Sequence, residues 1–194
     1  MIEGSNLGWL EGYMKSLLVL VAAASIAAPH SHSLAAELKS AKAKMINGSR
    51  QEVGEATLSE TPNGVLIRLN LRQKPEGVSP GTHAIHIHNV GKCEPPFKSA
   101  GEHFNPMNKK HGFFGKEGKH IGDLPNIHVP ESAPLTVEFL VPQLSLGGGK
   151  TGVFDSDGSA LVIHQGADDY QTDPAGNSGD RIACGVIEHS GSAK

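Results

Sequence analysis

Histidines set the strongest constraint on what this chain can fold into. His86 and His88 sit two apart in Ala84-Ile85-His86-Ile87-His88, a strand-like run. Successive side chains of a strand turn to opposite faces, so both imidazoles are expected on the same face. His103, His111, His120 and Asp123 follow, and His164 ends a second apolar run, Ala160-Leu161-Val162-Ile163. Eleven His occur in the 194 residues, and most fall between His83 and His128, so they are clustered.

Six His and one Asp can serve two metal sites only if one ligand is shared. Imidazole has two ring nitrogens, so a deprotonated His can bridge two ions. Nitrogen donors suit copper and zinc alike, and geometry separates them: three His and one Asp can close a tetrahedron around zinc, whereas four His near a plane suit copper(II). His83 lies three residues before His86, on the opposite strand face, and reads as structural. His128 and His189 have no partner spacing and read as surface residues. Asp155-Ser156-Asp157-Gly158 begins like a calcium loop, but its sixth and twelfth positions are Ala160 and Gly166, not the Gly and Glu of an EF-hand. A β-turn is expected there.

The rest of the chain reads as short strands. Val65, Ile67, Leu69 and Leu71 alternate, as do Val137, Phe139 and Val141. Further strands are expected at 42–46, 52–58, 83–88, 159–164 and 182–187. Asn47-Gly48, Thr61-Pro62-Asn63-Gly64 and Ser79-Pro80-Gly81 supply turns. With 24 Gly and 12 Pro and no long amphipathic stretch, the pattern predicts an all-β sandwich or barrel. Two segments, 89–134 and 165–180, lack periodicity. Loops this long inside a domain are usually functional or disordered, and these are rich in His, Asp, Gly and Cys.

Met14-Lys15, the apolar run 17–28 and the small residues Ser33, Ala35 and Ala36 have the order of a secretory signal peptide. Residues 1–36 are therefore expected to be upstream sequence and leader, carrying His30 and His32, and 37–194 a single domain. Twelve apolar residues are too few for a membrane-spanning helix, which needs about 20, so no stable membrane insertion is expected after cleavage. Export makes Cys93 and Cys184, the two cysteines of the chain, a disulfide candidate. A net charge of −3 gives no sign of a nucleic-acid partner.

At these residues the sequence resembles the copper–zinc superoxide dismutases, in their bacterial exported branch. The resemblance runs from about Met45 to Glu188 and is carried by Gly81-Thr-His-Ala-Ile-His86-Ile-His88, Ser99-Ala-Gly-Glu-His103-Phe-Asn-Pro106, Lys110-His111-Gly112, Lys119-His120-Ile-Gly-Asp123-Leu, Val162-Ile-His164 and Gly179-Asp-Arg181-Ile-Ala-Cys184-Gly-Val-Ile187. It implies an eight-stranded Greek-key sandwich with two long functional loops. It implies copper on His86, His88, His103 and His164, zinc on His103, His111, His120 and Asp123, and a Cys93–Cys184 disulfide. It further implies Arg181 beside copper and Asp168 as the carboxylate linking a copper-bound to a zinc-bound His. The implied reaction is dismutation of superoxide, in the periplasm or outside the cell.

The stretch between His164 and Arg181 is short and poor in charge, which leaves substrate steering to Arg181 and to Lys92, Lys98, Lys109 and Lys110, or leaves these lysines as plain surface charge. A metal-storage or copper-delivery domain of the same fold is the alternative function. A zinc hydrolase would need an open coordination position, which a closed His3Asp set denies. A homodimer is compatible with the sequence, with Phe97, Phe113 and Phe114 as interface or core.

Overall fold

The computed structural model describes residues 39–72, 76–132 and 134–191. The leader and its boundary with the domain lie outside them. Nine strands follow in order: β1 (Ser40–Asn47), β2 (Glu52–Thr61), β3 (Gly64–Leu71), β4 (Gly81–His83), β5 (Ile85–His88), β6 (Ile127–Val129), β7 (Leu135–Val141), β8 (Ala160–His164) and β9 (Arg181–His189). The expected strand at 83–88 breaks at Ala84: its N-terminal part, β4, pairs with β6, and β5 pairs with β8. Counting β4 and β5 as one interrupted pass, the chain makes eight, as expected.

Alternation drives the sheet. In β1, Ala41, Ala43 and Met45 point inward while Lys42 and Lys44 face solvent. In β3, Val65, Ile67, Leu69 and Leu71 are buried. Full burial of one such side chain contributes about 1.5–3 kcal/mol. The seven-stranded antiparallel sheet has the order β5-β8-β9-β1-β2-β3-β7. Only β1-β2-β3 is a simple meander. The chain then crosses to the far edge for β5, returns to β3 for β7, and crosses again for β8, which is Greek-key connectivity. Ile85 and Ile87 on one edge strand share a single buried cluster with Ile67, Leu69 and Phe139 at the other end. The sheet therefore curls until its two ends face each other across the core.

Strand β8 is buried on both faces. Its outer face, with Ala160 and Val162, packs against Phe97, Ala100 and Cys184 in a second cluster. Phe97 is thus core, whereas Phe113 and Phe114 are exposed. The first long segment contains two elements that periodicity did not reveal, β6 and a 3-10 turn at Lys98–Ala100. Each has three residues, too few to show a repeat. The second long segment has no strand, as expected. Asp155 Oδ1 accepts from the Asp157 and Gly158 amides, the turn predicted in place of a calcium loop.

Cys93 and Cys184 form a disulfide with a Cα–Cα distance of 5.6 Å. It ties the loop after β5 to the middle of β9. Closing a loop this long contributes about 4–5 kcal/mol in the chain-entropy account. Cys93→Ser, or reduction of the purified protein, should lower the melting temperature by about 10–15 °C, readable by calorimetry. An unchanged melting temperature would deny the bond its stabilising part.

Candidate metal centre

The outer edge of β5 is where the long loop docks. Ile87 N–H donates to Gly122 O (2.9 Å), Phe104 N–H to Ile87 O (2.8 Å) and Asn89 N–H to Glu102 O (2.9 Å). These bonds cover an otherwise bare sheet edge. They also make His88 the bridge partner of His103, and His86 that of Asp123. Gly122 is required here, because a Cβ would collide with the Ile87 carbonyl. A register shift between Ile163 and His164 in the β8–β9 ladder leaves His164 opposite Arg181 at the strand end, the kind of irregularity that re-aims a side chain.

His86, His88, His103 and His164 are all buried, and each offers a ring nitrogen within 4.8 Å of the others. One nitrogen of every ring is held. His86 Nε2–H donates to Asp168 Oδ2 (2.8 Å) and His88 Nδ1–H to Gly101 O (2.9 Å). His164 Nδ1 meets Ser178 Oγ (3.0 Å) and Gly179 O (3.3 Å). His103 Nδ1 meets Asp123 Oδ1 (2.9 Å). The opposite nitrogens, His86 Nδ1, His88 Nε2, His103 Nε2 and His164 Nε2, are buried and have no hydrogen-bond partner among the described residues. Four convergent bare lone pairs are costly without an electrophile and well suited to a cation. Burial is the largest effect on all four rings and disfavours their protonation; neighbouring charge reinforces it at His88 and His164, whereas hydrogen bonds to Asp168 and Asp123 partly oppose it at His86 and His103. His103 is pushed down to about 4 and His164 to about 3, so the rings stay neutral as ligands must.

A second group adjoins the first. Asp123 Oδ1 lies 2.9 Å from His103 Nδ1, 3.0 Å from His111 Nδ1 and 3.2 Å from His120 Nδ1. Edges of about 3.3 Å are what a tetrahedron of zinc ligands at about 2.0–2.1 Å requires, so this donor set fits zinc. Asp123 Oδ2 accepts from the Gly112 and His120 amides, both at 3.0 Å, which fixes the carboxylate. Burial would raise the Asp123 carboxyl, but hydrogen bonds from His103, His111, His120 and Gly112 hold it far below the usual carboxylate range. Burial works against charge on His111 too. There hydrogen bonds to Asp123 and Asp168, and the charge of both, win and lift it to about 9. His103 belongs to both groups, through Nε2 in one and Nδ1 in the other.

Asp168 spans the two groups, with Oδ2 on His86 Nε2 and Oδ1 on His111 Nε2 (2.9 Å). Gly176 passes so close over Oδ1 that any side chain there would clash. Asn126, which nothing in the sequence singled out, clamps this residue: its Nδ2 donates to Asp168 O and its Oδ1 accepts from Asp168 N, both at 2.9 Å. A lone Asn in an aperiodic loop carries no readable signal.

Arg181 donates to Phe97 O (2.9 Å) and Gly101 O (2.7 Å). The second acceptor also takes the His88 Nδ1 proton, so the guanidinium stands beside the four-histidine group. Arg181 and Lys98 line an open cleft of about 1230 Å³ together with Glu76, Glu102 and Asp180. Lys92 pairs with Glu94 at 3.2 Å, while Lys109 and Lys110 are exposed on the loop before His111. His83 joins neither group, since both its nitrogens are taken by the carbonyls of His164 and Ser79. His128 and His189 are exposed, as read from the sequence.

Fold and site together define a Greek-key β-sandwich with two adjoining nitrogen-rich donor groups that could each hold a metal ion and that have His103 in common. The family model for copper/zinc superoxide dismutase matches residues 52–187, and the chain belongs to this family. It is 48% identical over 160 residues to "Superoxide dismutase [Cu-Zn] 1" of Aquifex aeolicus, covering 81% of this chain and 92% of that protein. It is 46% identical over 181 residues to "Superoxide dismutase [Cu-Zn] 2" of the same organism, covering 92% and 98%. Among solved structures, a double mutant of a SOD-like protein from Bacillus subtilis superposes with TM-score 0.69 at 42% identity, covering 75% of this chain and 95% of that one. Among the described residues, no helix is long and apolar enough to cross a membrane.

Proposed function

We propose that this chain dismutates superoxide, 2 O2•− + 2 H+ → O2 + H2O2, with copper held by His86, His88, His103 and His164 and zinc by His103, His111, His120 and Asp123, one of each per chain. Copper when bound supplies the one-electron exchange with superoxide, and zinc a fixed charge on the shared ring. The observation that carries this reading is His103, whose two nitrogens face two different donor sets.

The residues divide the remaining work. Asp168, Gly101 O and Ser178 orient the rings of His86, His88 and His164, each through the nitrogen that does not face the centre. Such outer partners typically alter metal affinity or activity by about 10–100-fold. His103 is anchored at Nδ1, so its Nε2 is the atom at which a proton can be taken up and passed to the reduced substrate. Arg181 places a permanent positive charge beside the centre, drawing in the small anion and donating hydrogen bonds to it. Residues 14–36 direct export to the periplasm or beyond, where the oxidised Cys93–Cys184 pair persists.

Metal analysis and a superoxide assay on one sample test the function. Copper and zinc near one equivalent each with turnover supports it, and a fully loaded protein without turnover favours the delivery or storage alternative. Arg181→Glu should lower kcat/KM by at least about tenfold at low ionic strength, with the gap to wild type narrowing as salt rises. Arg181→Lys should retain more of the rate because it keeps the charge. A deficit independent of salt would remove the steering role.

A further inference from the structure

The loop between His103 and His120 carries an exposed apolar and basic surface beyond the two donor groups. The exposed large apolar side chains among the described residues are Met107 (44%), Phe113 (40%), Phe114 (71%) and Leu140 (53%). The first three lie in this one loop. Residues 105–119 also hold Lys109, Lys110, Lys116 and Lys119 against a single acid, Glu117, in a chain whose net charge is −3. Lys119 is engaged, donating to His120 O and Asp123 O and standing 5.0 Å over the Phe113 ring. Lys109, Lys110 and Lys116 are exposed, and among the described residues none has a carboxylate within ion-pair distance.

This loop is built rather than loose. Asn105 bonds both the amide and the carbonyl of Lys109. Phe114 N–H donates to Tyr170 O (3.2 Å), and the Tyr170 ring meets Phe113 and Phe114 edge-on at 5.2 and 5.8 Å. The aromatic tip is thus presented with little left to order on binding.

We propose that this loop docks on an anionic lipid surface, with Phe114 and Phe113 entering the headgroup layer and Lys109, Lys110 and Lys116 facing lipid phosphates. Exposed aromatics in the same short loop as exposed lysines that lack an ion-pair partner among the described residues match such a surface in both polarity and charge. A second copy fits poorly, because a two-fold contact through this loop would set the lysines against their own copies.

The test uses the full chain carrying Trp9→Phe and Phe114→Trp, so that the single indole sits at the loop tip. On vesicles of equal phosphatidylglycerol and phosphatidylcholine at low salt, its emission should shift to the blue and be quenched by brominated acyl chains. Pure phosphatidylcholine should give a much smaller shift. Adding Lys109→Glu, Lys110→Glu and Lys116→Glu should weaken vesicle binding about a hundredfold, at roughly fivefold per lysine near the surface. Phe113→Ser with Phe114→Ser, followed by vesicle sedimentation, should also reduce binding. The leader is common to all variants and cancels in these comparisons. No shift on anionic vesicles, an equal shift on zwitterionic ones, or binding insensitive to charge reversal would each overturn the proposal. Binding to dextran sulfate without any vesicle shift would overturn it in favour of a polyanionic glycan.

Discussion

Replacing His164 with Ala is expected to strip the four-histidine centre of copper, reduce superoxide dismutation to background, and leave zinc bound. His164 Nε2 is one of four buried nitrogens that converge without protein partners. Its loss removes a direct donor, which weakens the metal by more than the about 10–100-fold typical of losing an outer partner. The side-chain hydrogen bonds of His164 go to Ser178 and Gly179 and not to Asp123, His111 or His120. The second donor set is therefore left whole. Metal analysis with a parallel activity assay checks both halves. Wild-type copper occupancy in the variant would show the assignment of His164 to be wrong.

Asp123→Ala should have the largest effect on the molecule as a whole, releasing zinc and lowering the melting temperature by more than about 10 °C. One carboxylate serves three imidazoles through Oδ1 and two backbone amides through Oδ2. Each buried donor left without an acceptor costs about 1–3 kcal/mol, and several are orphaned at once. A domain of this size shifts by about 2–4 °C per kcal/mol. Asp123→Asn keeps the volume and one acceptor oxygen, so it should fold better than the Ala variant yet still lose zinc. Full zinc occupancy in Asp123→Ala would exclude this residue as a ligand. A normal melting temperature would show that the carboxylate does not organise the loop.

The strands with clear alternation were legible from sequence because a period of two is local. Val65 to Leu71 needs no distant partner to show which side is wet. The histidine pair at His86 and His88 was legible for the same reason. The metal-binding residue types could be singled out because imidazole and carboxylate have few other uses in a buried cluster. β6 and the break at Ala84 were not legible. A three-residue strand has no repeat to read, and the register change depends on β6, more than forty residues away. Asn126 was hidden for a related reason, since its function is two hydrogen bonds to the backbone of a residue in another loop.

From the chain alone came the all-β class, the two aperiodic segments, the donor residues and, through resemblance, their grouping. Folding in three dimensions decided which nitrogen of each ring is bare, which carboxylate oxygen meets which imidazole, and that the sheet closes so that its two ends share a core. The physical reason is range. Side-chain alternation follows from neighbouring residues, whereas a ring's free nitrogen depends on which partner the rest of the protein brings to its other side.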